Sequence, residues 1–224
     1  EDERRHEADY IERVDQYFKD KLQGIKNIFA VNGYINEQIQ LTQKGRIALQ
    51  IQETHPLGFA DILVLSGGFQ RLSCIEIMQV LSCFTNVAVN ERYRATINQT
   101  SCSYNVKELI QTISTQYIYY YEQEASEGLY YNDDYSIHYD LIDAVPKWCE
   151  VDNEASARTI LSVLYDTKGI FMGEFIKALL KILAIVKEIE TIAQVCNFIE
   201  LQGKLQECDQ YIMKYVVTNQ SLYI

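Results

Sequence analysis

Only two prolines, Pro56 and Pro146, and ten glycines interrupt this chain of 224 residues. These are the residues that end helices most reliably, since proline lacks the amide donor and glycine loses the most backbone entropy on ordering. A chain so short of both is free to run in long helices, and its apolar spacing agrees. Ile11, Val14, Phe18 and Leu22 recur at helical intervals within Ala8–Leu22. Similar periodicity marks Leu57–Leu65, Cys74–Phe84, Val106–Tyr121, Asp140–Trp148, residues 156–165, Glu174–Cys196 and Gln202–Asn219. Ser73 with Glu76 three residues on forms a capping box that starts one of these helices, and Pro146 predicts a kink or stop in another. The alternation Ile39-Gln40-Leu41-Thr42, behind the turn signal Asn32-Gly33, allows a short hairpin near 34–43. The expectation is an all-α fold, a compact multi-helix bundle formed by residues 22–224 as one domain, behind an amphipathic lead-in helix at 1–21.

The net charge of −11 excludes a protein that grips nucleic acid over its whole surface. It leaves room for one basic stripe, so the distribution of charge decides more than its sum. Residues 104–166 hold 3 basic and 12 acidic side chains, whereas residues 167–224 hold 6 of each. No Lys or Arg lies between Glu108 and Pro146. Within this acidic part, residues 122–136 are rich in tyrosine and read as an exposed loop or frayed helix end.

No motif of a catalytic centre is present. The sequence contains no phosphate-binding loop of the Gly-x-x-x-x-Gly-Lys type, no Asp-Glu box of a helicase motor, no dinucleotide fingerprint and no nucleophile elbow. The histidines at 6, 55 and 138 have no Cys or carboxylate at ligand spacing, so no metal site is expected. The carboxylate pair Asp133-Asp134 reads as solvated. Six cysteines without a Cys-x-x-Cys pair sit in apolar contexts, which fits reduced thiols in an intracellular protein. Lysines interrupt even the most apolar stretch, Ile176–Val186, short of the length needed to span a bilayer, and no signal-peptide core follows Glu1.

The sharpest local feature is the segment 174–196. Phe175, Ile176, Leu179, Leu180, Ile182, Leu183, Ile185, Val186, Ile189 and Ile192 cover most of its circumference, which predicts a central helix. Lys177 and Lys181, four apart, fall on one stripe of it. With Lys168 and Lys187 against Glu174, residues 168–187 carry a local charge of +3. Lysines on an otherwise apolar helix call for an acidic partner, a solvent channel or an anionic ligand.

The order of motifs resembles the DSHCT domain, the helical C-terminal domain of DExH-box RNA helicases of the superkiller and exosome-assisting class. The residues that carry the resemblance are Gly33-Tyr34-Ile35, Leu41-Thr42-Gln43-Lys44-Gly45-Arg46-Ile47-Ala48 and Leu81-Ser82-Cys83-Phe84. They continue with Leu141-Ile142-Asp143-Ala144-Val145-Pro146-Lys147-Trp148, Met172-Gly173 before Lys177 and Lys181, and Ser221-Leu222-Tyr223-Ile224. The likeness spans about residues 22–224, and its last element suggests a natural C-terminus at 224.

The resemblance implies a non-catalytic accessory domain that packs against two RecA-like motor domains and guides single-stranded RNA at its exit. It implies RNA contact at Lys181, which resembles the family's base-contacting arginine, and at Lys177 one turn earlier. Lys168 and Glu91 are secondary RNA-binding candidates. The chain itself would need no cofactor, with ATP and Mg held by motor domains upstream, and it would be monomeric in isolation. An RNA-degrading complex is a further implied partner, in the nucleus or cytoplasm, or in a virion for a viral member. No membrane partner is implied.

The departures are lysines for arginines at 177 and 181, Leu180 where a basic residue is frequent, Val87 or Ala88 where the family has a glutamate, Pro146 inside a helix, and extra acidic residues at Glu150–Glu154. They are those of a divergent member, as a viral one would be. Lysine keeps the charge but not the planar fork of arginine, so phosphate rather than base contact is expected. The alternative from another class is a helical protein-interaction module that docks partners through the acidic, Tyr-rich segment 117–140, since tyrosine favours interfaces.

Overall fold

The computed structural model describes residues 2–129 and 135–218, with the side chains of 2–9, 216 and 218 outside the description. Ser221–Ile224, the Asp133-Asp134 pair and the His6 side chain therefore lie outside the described residues. The described residues form the all-α bundle that the breaker-poor sequence predicts. The only extended pairing among them is one antiparallel bridge, Ile35 to Leu41, which is what the hairpin near 34–43 amounts to.

Helix α1 (Asp2–Val31) runs unbroken from the lead-in into the body of the domain. Its stripe Ile11, Phe18 and Leu22 is exposed. A short α2 (Gln43–Ala48) is capped by Thr42, whose hydroxyl accepts from the Gly45 amide. Here the motif Lys44-Gly45-Arg46 becomes physical. A Cβ at residue 45 would run into the Tyr34 carbonyl, while Lys44 pairs with Asp61, donates to the Asn32 carbonyl at 2.8 Å and lies over the Tyr34 ring. Helices α3 (Pro56–Leu65) and α4 (Cys74–Leu81) follow. Both halves of the capping box form, with the Glu76 amide 3.3 Å from Ser73 Oγ and the Ser73 amide 2.9 Å from Glu76 Oε2.

Helix α5 spans Tyr104–Ser126, five residues beyond the predicted end, and buries Tyr117, Tyr120 and Glu124 on its inner face. The predicted loop at 122–136 is thus corrected at its start: residues 122–126 are helical and Glu124 is buried. The helix predicted over Asp140–Trp148 is α6, Ala144–Glu150. In a helix begun at 140, residue 146 would donate to the Ile142 carbonyl, which proline cannot do. Starting at Ala144 puts Pro146 in the first turn, where no donor is needed. The freed Ile142 carbonyl accepts from the buried Gln79 side chain at 2.9 Å.

Helix α7 (Glu154–Lys168) ends at Gly169, which adopts a left-handed conformation at φ 72°. The Ile170 amide then reaches back to the Leu164 carbonyl, closing the turn foreseen at Lys168-Gly169. Helix α8 (Met172–Cys196) is the central rod. The predicted helix Gln202–Asn219 is broken into α9 (Ile199–Leu205), α10 (Cys208–Ile212) and a 3-10 turn at Tyr215–Thr218. Its buried residues Leu201, Leu205, Cys208 and Ile212 keep helical phase across the break, so the apolar pattern could not reveal it.

One continuous core joins these elements around α8. Trp148 is fully buried, edge-on to Phe175 at 5.5 Å, with its indole N–H bonded to the Ile212 carbonyl. The motif Leu81-Ser82-Cys83-Phe84 is buried throughout, as are Leu141, Ile142 and Val145. The motifs of the family likeness are therefore mostly packing devices.

Candidate nucleic-acid interface

Helix α8 buries Phe175, Ile176, Ala178, Leu179, Ile182, Leu183, Ile185, Val186, Ile189 and Ile192. What remains outside is a narrow stripe, on which Glu174, Lys177, Lys181 and Glu188 follow at intervals of three, four and seven residues, the spacing of one helical face. Both glutamates are occupied. Glu174 Oε2 accepts from the Ala88 amide at 2.8 Å and so fastens the loop after Phe84 to the start of α8. Glu188 accepts from the amides of Gln52 and Glu53 at 3.1 and 3.3 Å, fastening the loop before α3 two turns beyond Lys181. Burial raises the Glu188 pKa above the ordinary carboxylate value, against the pull of those two amides.

Between these clamps the lysines stand uncommitted. Lys177 is exposed and Lys181 half-buried, and among the described residues neither has an ion-pair partner. Lys181 forms the edge of a pocket of about 350 Å3 walled by the 51–56 loop, Phe84, Tyr117 and Ser136. The Thr54 hydroxyl there is buried with no hydrogen-bond partner. His55 closes the pocket floor. Its Nδ1 accepts from the Gly58 amide at 3.2 Å, capping α3, so the ring proton sits on Nε2, 3.2 Å from Glu124 Oε1. Tyr135 donates to the other oxygen of Glu124.

The secondary candidates sit elsewhere. Lys168 donates to the Asp140 carbonyl at 2.6 Å and lies 3.9 Å from its carboxylate, which also takes Arg94 at 3.0 Å. Burial lowers the Lys168 pKa, with Asp140 opposing. Glu91 lies in a 3-10 turn with its side chain 90% exposed, 3.7 Å from Arg94. Val87, one of the two positions aligned with the family's glutamate, is buried; Ala88, the other, offers its amide to Glu174. The structure therefore brings Lys177 and Lys181 together on one face of α8, whereas Lys168 is engaged with Asp140 and Glu91 with Arg94. Sequence reading missed the two clamps. Their phase on the lysine stripe was legible, but the loop amides they hold come from more than eighty residues away in the chain.

Tyr117 and Tyr120 are fully buried, and the Tyr120 hydroxyl bonds to Asp61 and meets that of Tyr34 at 2.9 Å. Burial drives the pKa of both Tyr34 and Tyr120 far above the ordinary phenol value. No described helix is long and apolar enough to cross a membrane.

Comparison with curated proteins gives no match. The family model of the DSHCT (NUC185) domain matches residues 38–220, most of the chain and all of the lysine-bearing stripe. With that span, and with the motif residues seated in the core as described, the chain belongs to the DSHCT family, the C-terminal accessory domains of helicases.

Proposed function

We propose that this domain packs on the RecA-like motor of an ATP-dependent RNA helicase and guides single-stranded RNA at its exit. The observation that carries the reading is the pair of uncommitted lysines held between two clamped loops. Loops tied to α8 at both ends frame a trough whose floor is cationic, while the rest of the stripe's charge is already satisfied. An ammonium group is a compact point charge, so Lys177 and Lys181 meet phosphates and hold the strand without reading its sequence. Lys168, already bound to Asp140, contributes field rather than a new contact. Glu91 can meet only a donor, a base amine or a ribose 2′-hydroxyl, since a carboxylate repels phosphate.

The chemistry lies outside this chain. Motor domains upstream hold ATP and Mg, and the domain supplies positioning. Six free thiols support a reducing compartment, nucleus or cytoplasm, or a virion for a viral member. An RNA-degrading complex is the partner that would receive the guided strand, and the isolated domain is monomeric. The alternative reading is partner docking through the Tyr-rich segment 117–140, where Tyr117 and Tyr120 are interior while Tyr119 and Tyr121 are exposed.

The test is RNA binding and unwinding by the helicase polypeptide carrying Lys177→Ala with Lys181→Ala. Affinity is expected to fall, and the slope of log affinity against log salt to shrink by about 1.4, at roughly 0.7 for each phosphate of a single strand that is no longer neutralised. RNA-independent ATP hydrolysis should be unchanged. Wild-type affinity and unwinding at every salt concentration would overturn the reading.

A further inference from the structure

Next to Glu174, which holds the Ala88 amide, lies a groove of about 740 Å3, lined by residues of the 88–94 loop on one side and of 165–171 on the other. Three aromatic rings stand exposed on it: Tyr93 at 57%, Tyr165 at 53% and Phe171 at 62%. Isolated exposed aromatics are ordinary, but three facing one groove are not. Tyr165 and Phe171 meet edge to face at 5.2 Å, an arrangement that cannot cover both faces of either ring. Beneath them Arg94 and Lys168 share the buried carboxylate of Asp140, and Arg94 also lies 3.7 Å from Glu91, so the cations of this floor are matched by anions. Asp166, on the same wall, takes a hydrogen bond from Ser162 one turn back.

We propose that this groove is a second subsite for single-stranded RNA, in which unstacked bases lie on Tyr93, Tyr165 and Phe171, at most one per ring. The proposal rests on the reading of the lysine stripe as the RNA path. Phe171 precedes Lys177 by six residues, a rise of about 9 Å along α8, which puts the groove within reach of a strand held at the lysines. Stacking suits such a path because every base has a π-face, and the grip is therefore blind to sequence. Proline-rich peptides also dock aromatic-lined grooves, but the neighbouring lysine stripe favours a polyanion here. Here exposed rings project from walls that adjoin the lysine stripe, and their π-faces are what the groove offers.

The test uses the whole chain at low ionic strength with a short (about 4-nucleotide) and a longer (about 12-nucleotide) oligouridylate, within the range of single-strand site sizes. Wild type should bind the longer strand more tightly. Tyr165→Ala with Phe171→Ala, both exposed and dispensable for packing, should weaken the longer strand about tenfold or more while melting like wild type. Lys177→Ala with Lys181→Ala should weaken both lengths. Photocrosslinking with a 4-thiouridine strand should place adducts on peptides containing Tyr93, Tyr165 or Phe171. If the lysine variant weakens binding but the ring variant does not, and no adduct forms in the groove, the subsite is overturned while the trough stands. If the lysine variant changes nothing, the trough reading falls first. Capture of oligoproline by the rings, with RNA length dependence unaffected by their loss, would also overturn the subsite in favour of a peptide ligand.

Discussion

Helix α5 lies in the acidic part of the chain and carries Tyr117, Tyr120 and Glu124 on the face it buries. The polar groups of Tyr120 and Glu124 are consumed inside, by Asp61, Tyr34, His55 and Tyr135. Helix α8 lies in the neutral part, buries almost only hydrocarbon, and turns Lys177 and Lys181 outward between two occupied glutamates. The contrast teaches that charge available to a ligand does not follow net charge along the sequence. Packing decides which ions are already satisfied, and what is left over marks the surface that can still bind.

The comparison can be broken first at the hydrocarbon face of α8. Phe175→Ala, which empties a fully buried site against Trp148, should cost about 3–5 kcal/mol in denaturant unfolding. A loss near zero would mean that α8 is not the central rod. Next comes α5 and pH. Tyr34 and Tyr120 have folded pKa values raised above the unfolded value near 10, so their contribution is intact below that pH. Above it the unfolded chain releases protons that the folded chain keeps, and stability falls. Two such groups give a slope of about 2.7 kcal/mol per pH unit beyond pH ~10. Stability flat between pH 9 and 11 would show that the hydroxyls are not interior.

Removing one of them sharpens the same point. Tyr120→Phe leaves Asp61 and Tyr34 short of a partner and should cost about 1–3 kcal/mol at neutral pH, while taking about 1.4 kcal/mol per pH unit off the alkaline slope. The smallest effect belongs to the outward lysines. Lys177→Ala with Lys181→Ala should leave unfolding free energy within about 0.5 kcal/mol of wild type, since neither side chain is paired among the described residues. A larger loss would mean that these lysines hold the fold rather than a ligand.

Much of this was legible in the residues. Ser73 and Glu76 declared a helix start, the apolar circumference of 175–192 declared a central rod, and Lys177 with Lys181 declared a stripe. Each signal is local and repeats within a few turns. Other features depended on distant partners. Nothing near Tyr120 announces that Asp61 and Tyr34 will meet its hydroxyl, so its partners were not legible. Lys168 looked as available as Lys177 until Asp140 arrived from 28 residues away. The break between Leu205 and Cys208 preserves the phase of the buried side chains, so periodicity passed over it.

Glu174 and Glu188 give α8 the role of a ruler. The walls of the trough belong to loops remote from each other in sequence, yet their separation is set by fourteen residues of one helix, a rise of about 21 Å. A single residue inserted between Lys177 and Lys181 would turn everything beyond it by about 100°. Either Glu188 would swing away from Gln52 and Glu53, or the buried face would leave the core. The domain can therefore widen its trough only in whole turns of helix, and its bore is quantised by the same periodicity that fills its interior.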